Sequence, residues 1–508
     1  MKKYIAILAS SLLVLSACQK QFEDVPMTSS LTGSAAAALV EQDPAFLSSY
    51  VSGFYSYMVQ FNTAGNKGHD DFGYLSLGMI GDIMCQDIAV NGSWNWGTYD
   101  INHDYGAENW VRCYQYWNFF YTLIAKANEV IDFFGKEDPT NATLKGYLGQ
   151  AYALRALCYT NLMVYFQDVA EGNWPNATFN KAAKGVPLVF ATRDERTPEE
   201  VDQNSGRNTL EIVCAHIEEN IAKALPLLEG YNRASKNEIN SNVAYGIAAR
   251  YYLLTQQWSQ AADAANKARQ GFILMDEARQ KSGFMELEDP EVMWGFNHST
   301  ETQTAYASFF SHMSNECSGY GGVGQSVRCI DKSLYDKIGS TDIRKSLYNT
   351  AAGDSKAATT GAQFPYAARK FGFVANWLQD YTFMRAAEMY LIEAEALLMG
   401  GSEGQAKTVL GELMDTRDLG WVCNTLTREE VYLQRRIELW GEGFNYFDVR
   451  RLAIDVDRKY DGSNHLASAQ KAYNAHDISW NFQIPLKEMQ NNNHIAKDEQ
   501  NEWETGER

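Results

Sequence analysis

Two carboxylates at helical spacing are the first residues in this sequence that could do chemistry. Glu438 and Glu442 lie four positions apart, so a helix would place them on one face, where a general acid and a general base could cooperate. Thr427 and Glu430 fit the N-cap of such a helix and its partner three residues later. Four arginines lie near the pair in the sequence: Arg435, Arg436, Arg450 and Arg451. The arginines favour a structural ion-pair cluster over catalysis.

Other patterns typical of enzymes or metal sites do not occur in the sequence. The histidines are scattered, without the HExxH spacing of a zinc protease, and there is no GxSxG or Walker sequence. His69, followed by Asp70 and Asp71, could bind a cation, but such a run is more often a solvated loop. We therefore expect no enzyme activity, no metal ion and no cofactor.

A loop rich in aromatic residues could instead bind a ligand. The sequence AVNGSWNWGTYDINHDYG, at 89–106, holds Trp94, Trp96 and Tyr99 with no sustained period, and its Gly, Asn and Asp residues favour turns. Aromatic faces cover the C–H face of a sugar ring well. Polar residues beside them supply hydrogen-bond partners for hydroxyl groups: Asn91, Asn95, Asp100 and Asn102. The alternative is that these aromatic residues cover a core under a long loop.

A second stretch has the same irregular texture. Residues 271–380 alternate Gly, polar and aromatic residues, and loops on a rigid scaffold often carry binding residues. Three aromatic residues there are further candidates for stacking on a ligand: Tyr306, Phe309 and Tyr320. Trp294, in EVMWGF, is expected instead to be buried in a strand.

The first residues indicate export and a lipid anchor. A basic start, MKK, precedes an apolar run that is too short to span a bilayer, which is the layout of a secretory signal. The run ends in LSAC, which resembles the bacterial lipobox, so residues 1–17 are predicted to be removed and Cys18 to carry lipid. Residues 18–34 would be the lipidated N-terminus and a tether. An ordinary signal peptide with a chance cysteine is the alternative.

Composition excludes several classes of function. The 508-residue chain is 45% hydrophobic and 21% charged, which is typical of a globular protein. Its formal net charge of −19 argues against nucleic-acid binding, because phosphates need a cationic face. The cysteines beyond Cys18 number seven and form no disulfide framework. Cys317 and Cys329 flank a Gly-rich loop and could pair.

Helical periodicity fills most of the remaining sequence. It predicts three helical pairs, near residues 110–166, 208–270 and 381–417. In the second pair, VAYGIAARYYLLTQQWSQAADAANKA alternates large and small residues as a tetratricopeptide repeat does, and Ala394 and Ala406 repeat the theme in the third. We therefore predict a mostly α protein: a tetratricopeptide-like scaffold of helical pairs, with aromatic-rich loop insertions near 60–110 and 271–380 and minor short strands.

Several segments form a pattern in a fixed order along the chain. They are GVPLVF (185–190) with RNTLEIVCAHIEENIAKALPLL (207–228), MRAAEMYLIEAEALL (384–398), LQRRIELWGEGFNYFDVRRL (433–452), FQIPLKEMQNN (482–492) and EQNEW (499–503). Together with the lipobox they resemble the SusD/RagB family of outer-membrane lipoproteins of Bacteroidetes. Asn445 and Leu452 depart from the family pattern, where Arg and Trp are usual, and Arg435-Arg436 stands where Glu-Arg is common.

The resemblance implies one SusD-like domain over residues 35–508 and a role in nutrient uptake. Such a protein would be lipid-anchored in the outer membrane and face the cell exterior. It would capture oligosaccharides and deliver them to a SusC-like, TonB-dependent barrel, whose lid it would form. Capture of peptides is the alternative within the family, and an exported glycoside hydrolase is the alternative outside it, which would need two carboxylates a few ångströms apart. The ligand-binding residues predicted from side-chain chemistry are Trp94, Trp96, Tyr99, Asn91, Tyr306 and Tyr320.

Overall fold

α-Helices are the main secondary structure of the computed structural model, which describes residues 45–92, 97–134 and 136–503. The α-helices among these residues are α1 (Ala45–Met58), α2 (Tyr74–Met84), α3 (Thr98–Ile101), α4 (Val111–Asp132), α5 (Ala142–Phe166), α6 (Pro198–Asn204), α7 (Leu210–Leu228), α8 (Ser241–Leu254), α9 (Trp258–Arg269), α10 (Glu277–Gln280), α11 (Phe309–Met313), α12 (Lys332–Tyr335), α13 (Thr360–Gln363), α14 (Ala386–Met399), α15 (Glu403–Met414), α16 (Arg428–Glu438), α17 (Asn445–Leu452) and α18 (Leu486–Asn491). The mostly α fold class predicted from the sequence is confirmed.

Helical pairs form the frame, in the order that the sequence predicts. Helix α4 packs on α5, α5 on α7, α7 on α8, α8 on α9, and α9 on α14, which packs on α15 in turn. Ala248, Ala265, Ala394 and Ala406 have no exposed surface and lie where these helices meet. Small side chains there let the helix axes approach closely, which is the packing expected of tetratricopeptide-like pairs.

Helix α5 is the centre of the frame. Asn141 begins it as an N-cap, because its side-chain oxygen accepts hydrogen bonds from the backbone N–H groups of Thr143 (2.8 Å) and Leu144 (3.2 Å). From Leu144 to Phe166 nearly every side chain is buried. A helix that is buried on all sides must be surrounded by other elements, and α4, α7 and α8 pack against it.

The short strands join segments that are far apart in sequence. The strands are β1 (Ile88–Asn91), β2 (Ala170–Glu171), β3 (Thr178–Phe179), β4 (Val292–Phe296), β5 (Val327–Ile330), β6 (Tyr381–Arg385), β7 (Val456–Asp457) and β8 (Ala472–Tyr473). They form antiparallel pairs β1–β5, β2–β3, β4–β6 and β7–β8. The β1–β5 pair, with Ile88 opposite Ile330 and Asn91 opposite Val327, connects the two aromatic-rich insertions.

Trp294 lies in β4 and is fully buried, as predicted. Its indole Nε1–H donates to the Asn237 carbonyl oxygen at 2.9 Å, so the one polar group of the ring is satisfied.

Cys317 and Cys329 are free thiols in this structure and do not pair. The Cys317 thiol lies 3.1 Å from the Ser314 carbonyl oxygen, and burial raises the pKa of both thiols.

A buried network of charges contains Glu438, one of the two carboxylates that could have served as an acid or base. Its oxygens accept hydrogen bonds from Arg385 (2.6 Å), Arg417 (2.9 Å) and Arg344 (3.1 Å). Glu291 accepts from Arg385 (2.6 Å) and Arg417 (3.0 Å), which closes the network. Burial by itself would raise the pKa of Glu438, but the three guanidinium groups hold that pKa well below its usual range.

Glu442 belongs to the same network. Its carboxylate accepts hydrogen bonds from Lys370 at 2.6 Å and from Arg385 at 2.7 Å. Burial opposes ionisation, but Arg385 and Lys370 lower the pKa of Glu442 below its ordinary value. Both carboxylates are therefore charged and fully engaged by cations. The prediction of a structural ion-pair cluster is confirmed.

Arg435, which departs from the family pattern, is paired as well, and so are Arg436 and Arg451, which match it. Arg435 donates to Asp448 at 2.9 Å, and Arg451 joins Asp448 (2.8 Å) to Glu395 (2.6 Å). Arg436 pairs with Asp87, at the end of the loop before β1.

Within the part of the chain that the structure describes, no helix is both long and apolar enough to cross a membrane.

Glu438→Gln is expected to destabilise the fold by about 3–5 kcal/mol, because it removes one charge and leaves three buried guanidinium groups partly uncompensated. The free energy of unfolding in urea measures this cost. Glu277→Gln is the matched control, since Glu277 forms an exposed pair with Lys281 four residues later, and such pairs contribute less than about 0.5 kcal/mol. Equal costs for the two variants would contradict a structural role of the network.

Candidate functional site

Two of the predicted ligand residues, Tyr306 and Tyr320, lie together in a surface cluster of aromatic side chains. The Tyr306 ring centroid is 6.0 Å from that of Tyr320, 6.3 Å from His69 and 6.3 Å from Trp377. Phe373 packs edge-on against Trp377 at 4.8 Å. Tyr306 is 54% exposed, whereas the rings around it are half-buried. We call these five residues the Tyr306 cluster.

The cluster combines loops from the two insertions. His69 belongs to the loop between α1 and α2, and Tyr320 follows α11 in the second insertion. The His69 Nδ1 atom lies 2.6 Å from the Tyr320 hydroxyl oxygen, so a hydrogen bond joins the loops directly. This contact could not be predicted from the sequence, because 250 residues separate His69 from Tyr320 along the chain.

Tyr320 is supported from beneath by a buried stack of rings. The His312 ring lies nearly parallel to the Tyr320 ring, with centroids 5.0 Å apart, and Phe72 stacks on His312 at 5.7 Å. His312 Nε2 lies 3.0 Å from the backbone oxygen of His69 and donates to it in the neutral tautomer. Burial, helped by the charge of Arg328, lowers the pKa of His312 to about 4, so the ring is neutral at pH 7.

Trp377 is a member of the cluster that the sequence analysis missed. Its backbone φ is +59°, in the left-handed region that side chains other than Gly seldom occupy. Such a conformation persists only where the surroundings hold it, and it is often found at binding sites. The sequence signal was present: FGFVANW (371–377) adds three aromatic residues to the irregular second insertion.

Tyr99, another predicted ligand residue, belongs to a second exposed group. Its ring stacks on Tyr105, with centroids 4.5 Å apart and planes 19° apart, and Tyr105 lies 5.1 Å from Trp110. Tyr99 is 52% exposed and Trp110 is 44% exposed. We call these three residues the Tyr99 ladder. Trp110 immediately precedes α4, which fixes its backbone.

A buried ion triad lies between the two aromatic groups. Arg112, on α4, donates from Nε and Nη2 to the two carboxylate oxygens of Asp100, each at 2.6 Å, and also pairs with Asp70. The Arg112 guanidinium lies 5.6 Å from the centre of the Tyr105 ring. Although burial opposes its charge, the two carboxylates raise the pKa of Arg112 well above its ordinary value. The triad is therefore a fixed, charged link.

The structure corrects two expectations for these loops. Asp100 was expected to offer oxygen atoms to ligand hydroxyl groups, but its carboxylate is buried and bound by Arg112. Phe309 was expected to stack on a ligand, but it is 6% exposed and packs against Phe371 at 4.9 Å and Tyr381 at 6.2 Å. Apolar neighbours from β6 and the loop before it cover the Phe309 ring, which is a core residue.

The remaining candidates have different outcomes. Asn91 is half-buried in β1, and its Nδ2 donates to the Asn464 carbonyl oxygen at 3.3 Å, so it is tied to the C-terminal part of the chain. Trp94 and Trp96 lie outside the described residues. Their roles, and those of Tyr99, Tyr306 and Tyr320 in ligand binding, stay predictions.

The possible cation site at His69, Asp70 and Asp71 is not assembled. Asp70 is bound by Arg112, while Asp71 accepts hydrogen bonds from the Thr63 hydroxyl (2.7 Å) and the Ala64 backbone N–H (2.8 Å). Across residues 45–92, 97–134 and 136–503, no group of three or more His, Cys, Asp or Glu side chains could hold a metal ion.

Comparison with known families agrees with this architecture. Residues 74–253 match a family model described as "Starch-binding associating with outer membrane", and residues 372–503 match one described as "SusD family". The matched segments together include more than half of the chain and contain most of the helical frame, with Arg385, Arg417, Glu438 and Glu442 of the buried charge network. The scaffold is thus of the SusD-like class. The chain belongs to the SusD/RagB family.

Solved structures share the whole fold. A SusD-like carbohydrate binding protein from Bacteroides vulgatus is 24% identical, with a TM-score of 0.74 over 89% of this chain and 97% of its own. A SusD superfamily protein from Bacteroides thetaiotaomicron is 18% identical (TM-score 0.70, covering 90% and 99%). Surface glycan-binding protein A from Bacteroides uniformis is also 18% identical (TM-score 0.63, covering 90% and 99%). No curated protein matches the chain.

The neutral His312 predicts a pH dependence of stability. Its folded-state pKa of about 4 lies below the value of about 6.5 for an unfolded chain, so the unfolded state binds more protons between these values. Stability is therefore lost as the pH falls from about 6.5 towards 4. Between pH 7.5 and pH 5, wild type is expected to lose about 2 kcal/mol more than His312→Phe, measured by urea unfolding at each pH.

The control for this experiment is Tyr320→Phe, which alters the same stack without removing the titrating ring. It is expected to change stability by the same amount at both pH values. An identical pH dependence for wild type and His312→Phe would show that His312 is not held neutral in the folded protein.

Proposed function

We propose that the protein is a cell-surface glycan-binding lipoprotein of the outer membrane. It captures oligosaccharides and delivers them to a SusC-like, TonB-dependent barrel, which it closes as a lid. The observation that carries the proposal is the Tyr306 cluster: an exposed tyrosine ring, with half-buried aromatic neighbours, on loops attached to a rigid helical frame.

The chemistry of the cluster suits a neutral, hydroxylated ligand. Within three residues of Tyr306, Tyr320 and Trp377 there is no exposed charged side chain. Exposed residues with amide or hydroxyl groups lie near these rings in the chain instead: Gln303, Ser318 and Asn376. The rings can cover the C–H face of a sugar while these groups exchange hydrogen bonds with its hydroxyl groups. Lys67 and Asp70 lie near His69 in the chain, but the other rings have no exposed charge beside them in sequence, which supports glycan over peptide capture, since peptides carry charged termini and side chains.

The relatives support the same class of ligand. The Bacteroides vulgatus structure is described as a carbohydrate binding protein, and the Bacteroides uniformis structure as a surface glycan-binding protein. One matched family is described as starch-binding and associated with the outer membrane. Hydrolysis is not part of the proposal, because Glu438 and Glu442 are bound by cations within the scaffold.

Tyr306→Ala is expected to weaken binding to a neutral oligosaccharide by about 1–3 kcal/mol, or roughly tenfold to hundredfold, with little change in stability. The oligosaccharide is first identified on a glycan array and then titrated by calorimetry. Trp94→Ala and Trp96→Ala test two further predicted residues in the same way.

Phe309→Ala is the matched control for Tyr306→Ala, three residues along the chain. Because Phe309 is a core residue, its truncation is expected to cost about 3–5 kcal/mol of stability and to leave the affinity of the folded fraction unchanged. Wild-type affinity in folded Tyr306→Ala would contradict the proposed role of the cluster. Peptides bound to the purified protein, with no glycan binding on the array, would favour the alternative ligand.

Cys18→Ala is expected to release the protein from the membrane fraction, because the proposed lipid anchor is the thioether on this residue. Immunoblotting of membrane and soluble fractions measures the change, and the half-buried Cys423→Ala is the matched control. Cells that lack the barrel are used, so that docking cannot retain the variant. Membrane association of Cys18→Ala in those cells would contradict lipid anchoring.

A further inference from the structure

The Tyr99 ladder exposes aromatic side chains to solvent instead of burying them in the core. Tyr99 and Trp110 are about half exposed, and Tyr105 stacks between them. The ladder rests on firm supports, because Trp110 precedes the long helix α4 and the Arg112 guanidinium contacts the Tyr105 ring. Exposed aromatic rings that are held rigidly side by side offer a ready surface for a flat apolar face.

The ion triad sets the position of this ladder relative to the Tyr306 cluster. Asp70 follows His69, which belongs to the cluster, and Asp100 follows Tyr99, which belongs to the ladder. Both carboxylates bind the same guanidinium, that of Arg112. Since Arg112 is buried on α4, the two loops cannot move apart at this point without breaking buried ion pairs.

Asp70 also shows that the two aromatic groups are close neighbours. Burial raises the pKa of Tyr105 in the ladder and of Tyr320 in the cluster, and the negative charge of Asp70 raises both further. The contacts agree: Arg112, which binds Asp70, lies 5.6 Å from the centre of the Tyr105 ring, and His69, next to Asp70 in the chain, lies 2.6 Å from the Tyr320 hydroxyl oxygen. The Asp70 side chain is 18% exposed, so it reaches solvent between the two groups.

We propose that the Tyr99 ladder is a second stacking platform, and that the ligand is a linear, neutral oligosaccharide long enough to cover the ladder and the Tyr306 cluster together. The inference rests on the proposed glycan-binding function and specifies the length and charge of the ligand. Two platforms fixed by the Arg112 triad act as linked sites, so a chain that spans both gains affinity from each.

The charges near the ladder favour neutral over anionic sugars. Asp104 is exposed, Glu108 is half-buried beside Trp110, and Asp70 reaches solvent between the platforms. These carboxylates would repel uronic acids or sulfated sugars, and the net charge of −19 adds to the repulsion at long range. Hydroxyl groups of a neutral sugar can instead donate hydrogen bonds to the carboxylates.

The test measures affinity against chain length. Neutral linear glucans with α- or β-linkages, from the disaccharide to the octasaccharide, are titrated against wild type and three variants by calorimetry. Wild-type affinity is expected to rise with length until both platforms are covered. Trp110→Ala and Tyr99→Ala are each expected to weaken binding of the longest chain by about tenfold and to leave the shortest chain that binds unaffected. Leu419→Ala, at a highly exposed apolar residue on another loop, is the control and is expected to change neither.

The outcomes separate this inference from the proposed function. Thermal melting first establishes that Trp110→Ala and Tyr99→Ala are folded, and either folded variant suffices. If such a variant binds the longest chain as wild type does, the second platform is overturned while the proposed function stands. Equal losses for short and long chains would also contradict a separate platform. If Tyr306→Ala retains wild-type affinity at every length, or wild type binds no glycan on the array, the proposed function fails as well.

Discussion

The burial of Glu438 among three guanidinium groups is the interaction on which the rest of the structure depends. Arg385 stands at the junction of β6 and α14, Arg417 follows α15, and Arg344 comes from the loop-rich insertion between β5 and β6. Each charge is desolvated, so each is tolerable only while its partners are in place. The network therefore makes the helical frame and the loop-rich insertion mutually dependent. A helical pair alone would leave Glu438 without Arg344, and the insertion alone would leave Arg344 with Asp342 but without Glu438.

The same device recurs at the loops, where Arg112 binds Asp70 and Asp100. In each case acidic residues that could pass for catalytic groups are bound by cations within the scaffold, and beside Asp100 the aromatic ring of Tyr99 is left exposed. This division has a physical reason. Loops lack the repeating hydrogen bonds of helices and strands, so buried charge-assisted bonds give them definite positions. An aromatic ring on a loop held in this way loses little entropy on binding, because its backbone is already ordered.

Local patterns in the sequence were enough to predict the helical pairs, because small residues such as Ala394 and Ala406 indicate where two helices pack closely. The ion-pair cluster was predictable for a similar reason: Glu438 lies among arginines within one segment. Exposure within the loops was not predictable. Tyr306 and Phe309 are three residues apart in one irregular stretch, yet Phe371 and Tyr381 cover only the second. Phe371 and Tyr381 lie some 60 to 75 positions along the chain from Phe309, so no window of sequence around Phe309 contains the residues that cover it. Trp377 likewise packs against Tyr306, which is distant in sequence, as well as against the nearby Phe373.

Rigid aromatic surfaces without exposed charge at their centre suit a protein that must first hold a ligand and then give it up. A buried charge pair between protein and ligand would be costly to break once formed. Stacking contacts are individually modest, and they add along a chain of sugar rings, so the grip on a ligand scales with the length of chain in contact. Under the proposed function, a long oligosaccharide would be retained while it covers the surface and would be lost progressively as its end is drawn into a barrel. Release then requires no change in the frame, which is consistent with a scaffold locked by the Glu438 network and with loops locked by Arg112. The immobility of the binding surface and the reversibility of binding have a common basis: the charge pairs are buried within the protein, and the surface offered to the ligand consists mainly of neutral aromatic faces.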